Sequence, residues 1–148
     1  MVKIREVIQS DAREIARLLT LLGHQTSADE INTRWDPWTV EGNVGFAIEK
    51  NDGQLGGLIT LHRMFVLHRP RFVGRITALV VDEQSRGQGI GRALVVAAEE
   101  YLINAGCGLL EITSHKSLKE AHLFYEHLNY ERTSERFGKV LVTTIAST

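Results

Sequence analysis

The sequence predicts an α/β (α+β) fold, with a central mixed, mostly antiparallel sheet of about six to seven strands flanked by about four helices. Two observations lead to this prediction. Short segments of alternating apolar and polar residues recur in the first half of the chain, and a turn-forming run separates two of them, as in an antiparallel hairpin. Further along, an apolar strand, a glycine-rich turn, an amphipathic helix and a second apolar strand follow one another, which is the order of a right-handed parallel βαβ unit.

Composition indicates an ordinary globular chain. Of its 148 residues 43% are hydrophobic and 24% charged, and 17 Lys and Arg against 18 Asp and Glu leave a net charge of −1. Disordered chains carry fewer apolar residues and more net charge, so disorder is excluded as the main state. We expect one domain over residues 1–148, because a chain of this length buries one sizeable core. The balanced charge offers no cationic field to a nucleic acid, which is not an expected partner.

Three features predict a cytoplasmic protein. Cys107 is the single cysteine, so an internal disulfide is impossible. Residues 1–6 lack the apolar stretch of a signal peptide. No apolar run reaches the ~20 residues needed to cross a bilayer, so we expect neither a membrane span nor a membrane partner.

The first elements are a strand and two helices. Residues 2–7 alternate as a strand with one buried face. The carboxylate of Asp11 begins a capping pattern for a helix that Gly23 ends. A short second helix is predicted from the cap Ser27, and Pro37 is expected to end it.

A hairpin and a central strand come next. Residues 44–48 and 55–61 alternate on either side of a turn at 51–53. Residues 62–75 are predicted to be a cationic loop, a solvated turn or an attraction site for acidic groups. The apolar run 76–81 predicts a central strand buried on both faces.

The last third completes the predicted fold. A helix follows the glycine-rich turn and ends at Gly106. Residues 109–113 are predicted as another short buried strand. A capping box at Ser117 opens the last helix, and residues 130–144 are predicted to form a final strand pair.

The glycine-rich turn has the properties of an anion site. Gly87, Gly89 and Gly91 lie where an apolar strand passes into a helix. Without Cβ atoms the backbone can approach a ligand closely, and amide N–H groups and the helix dipole converge on a phosphate. The spacing matches neither the nucleoside-triphosphate loop nor the dinucleotide motif, so another phosphate ligand is expected. A tight connection without a ligand is the alternative.

The sequence around this turn resembles the GNAT-type N-acetyltransferase superfamily. The family signature Arg/Gln-x-x-Gly-x-Gly/Ala is matched by Arg86, Gly89 and Gly91. The strand 79–82 before it and the block 124–130 after it are also similar to the family. The resemblance implies that acetyl-CoA binds along the strand and the turn, at Leu79, Val80, Val81, Arg86, Gly87, Gln88, Gly89, Ile90, Gly91 and Arg92.

Two positions depart from the family pattern. Leu118 stands where many members carry an Asn, which puts one contact to the pantetheine arm of the coenzyme in doubt. Asn129 stands where the family usually has Gly, and Asn tolerates the same left-handed backbone conformation.

Tyr125 is the predicted general acid, because the matching family tyrosine protonates the departing thiolate. The alternative is that Tyr125 only fills the apolar stripe of its helix. Residues 76–81 carry no acid, although family members often place a Glu there. Glu111 is the candidate base, since a carboxylate in an apolar strand needs a polar partner or a cavity. His62 and His115 are the other candidates.

Trp35, Asp36 and Trp38 are candidate acceptor-binding residues. They lie between the first helix and the hairpin, which in this family usually borders the acceptor site. Two indole rings with a carboxylate could receive a cationic amine through cation–π contact and charge pairing. The alternative is that the tryptophans plug the core.

We therefore predict an acetyl-CoA-dependent N-acetyltransferase that transfers the acetyl group directly to a primary amine of a small molecule or peptide. The competing hypothesis is a catalytically inactive acyl-CoA-binding or interaction module of the same fold. The six histidines show no ligand spacing such as His-x-x-x-His, so no metal is expected. The expected partners are acetyl-CoA and an amine acceptor, and the protein is expected to be a monomer or a homodimer.

Overall fold

A computed structural model describes residues 3–114 and 119–142. The chain divides into two compact units, Met1–Glu111 and Ile112–Thr148. The elements of the first unit, with β5 ending one residue beyond it, are β1 Lys3–Glu6, α1 Ala12–Leu22, α2 Ala28–Val40, β2 Asn43–Glu49, β3 Leu55–Met64, β4 Phe72–Val81, α3 Ile90–Asn104 and β5 Cys107–Ile112. The second unit contains α4, Lys119–His127. None of the described helices is long and apolar enough to cross a membrane.

The sheet has the order β1-β2-β3-β4-β5, and its first three pairs are antiparallel. β4 and β5 are neighbours joined through α3, the connection that parallel strands need. Their contacts advance in the same direction along both strands, since Arg71 lies beside Gly108 and Arg75 beside Glu111. The predicted mixed, mostly antiparallel sheet with a βαβ unit is therefore confirmed.

The described part of the chain has five strands, fewer than predicted. The missing elements are the strand pair expected over residues 130–144, because residues 130–142 form no strand. Every residue from 131 to 142 is exposed, so neither alternate face of this segment is covered as a strand in a sheet would be. Residues 143 and 144 lie outside the described part.

Helix α1 has the predicted length, but Asp11 does not cap it. Gly23 ends the helix at φ 116°, as expected for a left-handed terminator. The Asp11 carboxylate instead accepts hydrogen bonds from the Ile8 backbone N–H at 2.8 Å and from Arg5 at 2.8 and 2.9 Å. The Asp11 carboxylate therefore links Arg5 of β1 to the short turn before α1.

Helix α2 begins as predicted and ends later than predicted. Ser27 and Glu30 form a reciprocal capping box at 3.1 and 2.9 Å. Pro37 lies inside the helix, and the prediction that it ends the helix is wrong. The Glu41 N–H still reaches the Pro37 carbonyl at 3.3 Å, so one further turn forms after the proline.

The two faces of the sheet carry different helices. A Cβ built on Gly57 would meet Ile90 and Leu94 at 2.9 and 3.0 Å, so α3 lies on that face. On the opposite face α1 and α2 bury a cluster that includes Leu18, Ile31, Leu58 and Val80. This second face is called the α2 face below.

Three predictions about the strands need correction. β3 and β4 extend to Met64 and from Phe72, so the predicted loop 62–75 shrinks to 65–71. β4 is not buried on both faces, because Thr77 is exposed. β5 is not fully buried either, since Leu109 is 37% exposed at the edge of the described sheet. The predicted capping box at Ser117 lies outside the described residues.

Candidate active site

The glycine-rich turn leads into a row of backbone donors at the start of α3. Gly87 and Gly89 have φ values of 78° and 76°, a conformation that favours glycine. The first backbone bond of α3 runs from the Ala93 N–H to the Gly89 carbonyl at 3.0 Å, so the N–H groups of residues 90–92 have no partner in their own helix. N–H groups of this kind at a helix N-terminus are suited to bind an anion.

The same turn leaves room for a ligand to approach. A Cβ built on Gly87 or Gly89 would meet no heavy atom within 4 Å. Ile90 anchors the start of α3 in the core at 5% exposure, while residues 86–89 and Arg92 are exposed. The donors of the turn are thus held on a rigid helix and face open space, which fits the pyrophosphate of acetyl-CoA.

The carboxyl end of β4 has a free edge. β5 ends at Ile112, one residue after the Arg75 partner Glu111, whereas β4 continues to Val81. No described strand therefore pairs with the last residues of β4 on that side. Val80 is buried, and Leu79 and Val81 are half-buried. The Asp82 N–H bonds the Gly56 carbonyl of β3, so by antiparallel alternation Val80 also bonds to β3 and the backbone groups of Leu79 and Val81 point to the edge away from it. The Val81 carbonyl accepts from Arg86 Nε at 3.4 Å, and the other groups at this edge fit the amide groups of an extended pantetheine arm.

A buried carboxylate fixes the junction between β4 and the turn. Asp82 is 8% exposed and pairs with Arg17 at 3.0 Å and with Lys50 at 3.6 Å. Burial by itself raises the pKa of Asp82, but the hydrogen bond and charge of Arg17, with Lys50, outweigh it and the pKa lies below its ordinary value. Asp82 remains ionised and joins α1 and the β2–β3 turn to the base of the glycine turn.

A β-bulge places two hydroxyl groups on the α2 face. Thr60 pairs with Ala78 and Leu61 with Ile76, so Thr77 is the extra residue of the bulge. The hydroxyls of Thr60 and Thr77 lie 2.7 Å apart. Gly45 is the cross-strand partner of Thr60, and a Cβ built on it would meet Trp38 at 3.4 Å. Cross-strand partners share a face, so Trp38 and both hydroxyls lie on the α2 face.

An ion pair continues this face towards β5. His62 lies two residues after Thr60 and therefore on the same face, and its cross-strand partner is Arg75. Arg75 Nη2 donates to Glu111 Oε1 at 3.1 Å, and the side chains of Arg75 and Glu111 are 41% and 40% exposed. Glu111 thus has the polar partner that its strand position predicted. His62 Nε2 lies 3.1 Å from the Glu41 carbonyl.

The three predicted acceptor residues lie on α2, where the two tryptophans are in contact and Asp36 is apart from them. Trp35 and Trp38 are half-buried, pack against the core cluster and contact each other with ring centroids 5.3 Å apart. Asp36 is exposed between them in sequence. Adjacent residues on a helix do not share a face, so the carboxylate does not lie between the two rings.

Tyr125 is half-buried on α4 in the second unit. Its ring meets Phe124 and Tyr130 edge-on, with centroids 5.4 and 6.2 Å apart. Burial raises the pKa of the Tyr125 phenol, which keeps its proton at neutral pH. Asn129, after α4, has φ 70°, a left-handed conformation that asparagine tolerates. The positions of His115 and Leu118 lie outside the described residues.

Arg75, Thr60, Thr77 and the Asp82 network were not singled out from the sequence. A signal was present, because Thr60 and Thr77 interrupt the apolar residues of β3 and β4, and Asp82 follows directly on the apolar end of β4. Assigning their partners required the strand register. Among the described residues, no group of three His, Cys, Asp or Glu side chains comes together to hold a metal ion.

Comparison with known proteins identifies the family. The acetyltransferase (GNAT) family model matches residues 10–130. Over 102 residues the chain is 36% identical to the aminoalkylphosphonate N-acetyltransferase of Salmonella typhimurium. This match covers 69% of the chain and 66% of that relative, just under two thirds of its length.

Solved structures share the fold. An acetyltransferase of Trypanosoma brucei superposes with a TM-score of 0.85 at 26% identity, over 95% of this chain and 100% of that one. Glucosamine-6-phosphate N-acetyltransferase of Arabidopsis thaliana gives a TM-score of 0.82 at 22% identity, over 96% and 99%. Because the family model spans most of the chain, the protein belongs to the acetyltransferase (GNAT) family.

Proposed function

We propose that this protein is an acetyl-CoA-dependent N-acetyltransferase that transfers the acetyl group directly to the primary amine of a small molecule. The observation that carries the proposal is the glycine-rich turn at the start of α3, where the N–H groups of residues 90–92 have no partner in their helix and the space beside Gly87 and Gly89 is open. These donors are suited to the pyrophosphate, and Leu79, Val80 and Val81 would bind the pantetheine arm along the free edge of β4. Residues 1–148 would act as one acetyltransferase domain.

The proposed acceptor is a short amine that also carries an anionic group. The relative from Salmonella typhimurium is named for acetylation of aminoalkylphosphonates, which combine an amine with a phosphonate. The α2 face supports an acceptor of this kind, because it presents the opposite charges of Arg75 and Glu111 beside the Thr60 and Thr77 hydroxyls. Trp38 would border this site, whereas Trp35 contributes by packing under it and Asp36 would meet the acceptor only at its rim.

Two side chains are proposed to move protons. Bound acetyl-CoA supplies the acetyl group as a thioester, and the acceptor must lose its ammonium proton before it can attack. Glu111 would take this proton through water, since Arg75 is the one partner of its carboxylate among the described residues. Tyr125 would donate its proton to the departing thiolate, and its burial preserves that proton until it is needed.

Release of the coenzyme A thiol in the presence of an amine panel tests the proposal. The panel contains aminoalkylphosphonates, neutral alkylamines, amino acids and a peptide with a free N-terminus. We expect thiol release that depends on a short amine, and an acetylated product detected by its mass. Acetyl-CoA binding without thiol release for any amine would contradict the proposal and favour the inactive binding module.

A further inference from the structure

We propose that Arg75 binds the anionic group of the acceptor and so determines which amines the enzyme prefers. This inference rests on the proposed function and assigns Arg75 to the anionic group of the acceptor. Thr77 precedes Leu79 by two residues on β4, a separation of about 7 Å. The α2 face around Thr77 and Arg75 is therefore adjacent to the edge of β4 proposed for the pantetheine arm.

The guanidinium of Arg75 has donors to spare. An arginine carries five N–H groups in a planar fork. Arg75 uses Nη2 for Glu111, while its Nε is shielded from solvent and has no hydrogen-bond partner among the described residues. A shielded donor without an acceptor is unusual in a folded protein. The side chain is 41% exposed although Nε is shielded, so an oxyanion would reach the outer end of the guanidinium and accept paired hydrogen bonds from Nη1 and from the second N–H of Nη2.

The other two arginines near β3 and β4, Arg63 and Arg71, make contacts away from the α2 face. Arg63 pairs in register with Gly74, and a Cβ built on Gly74 would meet Leu102 of α3, so Arg63 lies on the opposite face. Its guanidinium donates to the Ala105 carbonyl at 2.9 Å and covers the Phe72 ring at 4.1 Å. The side chain of Arg71 packs against Gly108 at the start of β5. Arg75 is the arginine that β3 and β4 present on the α2 face.

The charges on this face match those of a zwitterion. Glu111 and Arg75 form a pair of opposite charges, and each side chain is about two-fifths exposed, at 40% and 41%. His62 also lies on this face, and its ring is engaged with the Glu41 carbonyl. An acceptor with an ammonium and a phosphonate on a short chain can present its anion to Arg75 and its amine to Glu111. The proposal therefore predicts discrimination against amines of the same length that lack the anion.

The test compares two acceptors in each of several variants. Aminoethylphosphonate carries the anion and propylamine does not. We expect wild-type kcat/KM to favour aminoethylphosphonate, and Arg75→Gln to reduce that preference by about tenfold or more, equivalent to about 1.4 kcal/mol. Arg75→Lys should restore only part of it, because an ammonium lacks the planar fork. Arg13→Gln, which removes an exposed arginine of α1, should leave the preference unchanged.

The measured quantity is the ratio of kcat/KM for aminoethylphosphonate to kcat/KM for propylamine. The fraction of active enzyme in a preparation cancels in this ratio, so a variant that folds less well still gives a valid result. In Arg75→Gln the loss of the Glu111 contact affects both amines, so kcat/KM for aminoethylphosphonate should fall about tenfold further than kcat/KM for propylamine, and the KM for acetyl-CoA should not change. An unchanged ratio in Arg75→Gln, or a wild-type enzyme that turns over both amines equally, would overturn the inference and leave the proposed function standing. Calorimetric binding of aminoethylphosphonate in the presence of coenzyme A, lost in Arg75→Gln but without any turnover by wild type, would instead uphold Arg75 and overturn the proposed function.

Discussion

Arg17 of α1 donates to the Asp82 carboxylate at 3.0 Å, and this contact ties the first helix to the residue at which β4 enters the glycine-rich turn. The same guanidinium donates to the Leu55 carbonyl at 3.0 Å, while Glu14 accepts from the Leu55 N–H at 2.9 Å. The Asp82 N–H reaches the Gly56 carbonyl at 2.9 Å. Arg17 and Glu14 of α1 therefore hydrogen-bond to the start of β3, and Arg17 also bonds to Asp82 at the end of β4.

We expect Asp82→Asn to destabilise the protein and to weaken coenzyme binding. The substitution removes the charge that faces Arg17 and Lys50, and we expect a loss of about 1–2 kcal/mol in the free energy of unfolding. The loss is limited because the Arg17 side chain is 36% exposed and solvent screens its charge. Denaturant unfolding measures this loss, and the KM for acetyl-CoA should rise because the base of the turn is loosened.

Arg34→Gln is the control for the loss of an ion pair. Arg34 and Glu30 form an exposed pair on α2 at 3.2 Å, and because solvent screens both charges we expect a much smaller loss of stability than in Asp82→Asn. If Asp82→Asn is no more destabilising than Arg34→Gln and its KM for acetyl-CoA is unchanged, Asp82 does not hold the turn.

Stability should fall in acid for an identifiable reason. The hydrogen bonds from Arg5 and Arg17 lower the pKa of Asp11 and of Glu14 below their ordinary values of 3.8 and 4.5, and the pKa of Asp82 is also lowered. A lowered pKa stabilises the folded state above the ordinary value, and this contribution is lost as the pH falls through the folded-state pKa. Melting temperature measured between pH 7 and pH 3 should therefore drop most steeply below about pH 4.5.

Glu14→Gln separates this explanation from general acid denaturation. The variant should be less stable than wild type at pH 7 and should lose less stability on acidification, because one of the coupled carboxylates is gone. Parallel curves for the two proteins would show that Glu14 does not contribute to the pH dependence.

Gly89→Val should weaken acetyl-CoA binding by at least about tenfold, roughly 1.4 kcal/mol. At φ 76° a branched side chain strains the backbone and occupies the space in which the pyrophosphate is proposed to lie. Gly53→Val is a matched control, because Gly53 has φ 85° and open space around it but belongs to the β2–β3 turn. Calorimetry should find weaker binding in Gly89→Val and wild-type binding in Gly53→Val, and equal affinities in all three proteins would exclude the turn as the coenzyme site.

Tyr125→Phe should lower kcat by about 10²- to 10⁴-fold and hardly change the KM for acetyl-CoA. The phenyl ring keeps the contacts with Phe124 and Tyr130, so loss of the proton donor is separated from loss of packing. Tyr101→Phe, at an exposed tyrosine of α3 that meets Phe46 edge-on, should retain full activity. Full kcat in Tyr125→Phe, measured where the chemical step limits the rate, would make Tyr125 a packing residue only.

Local patterns predicted those elements whose causes are local. The capping box at Ser27, the terminator Gly23 and the hairpin turn at residues 51–53 act within a few residues, and each appears as expected. Pro37 was misassigned because one proline does not outweigh a helix that is packed through Trp35 and Trp38.

The acceptor face could not be predicted because it depends on strand register. Thr60, Arg75 and Glu111 are far apart in sequence and meet only through three neighbouring strands. The bulge at Thr77 shifts that register by one residue, which no local pattern reveals. The glycine turn was accessible to sequence reasoning since its conformation and its donors lie in a single short segment.

Transfer from acetyl-CoA labelled with carbon-13 in its acetyl group tests the central claim most directly. Wild type is mixed with labelled acetyl-CoA and aminoethylphosphonate, and product, free thiol and intact protein are quantified by mass and by thiol titration. We predict that one labelled N-acetyl product forms for each thiol released, with no acetyl group retained on the protein. Thiol release without labelled N-acetyl product, or label accumulating on the protein before product appears, would contradict direct acetyl transfer to the amine.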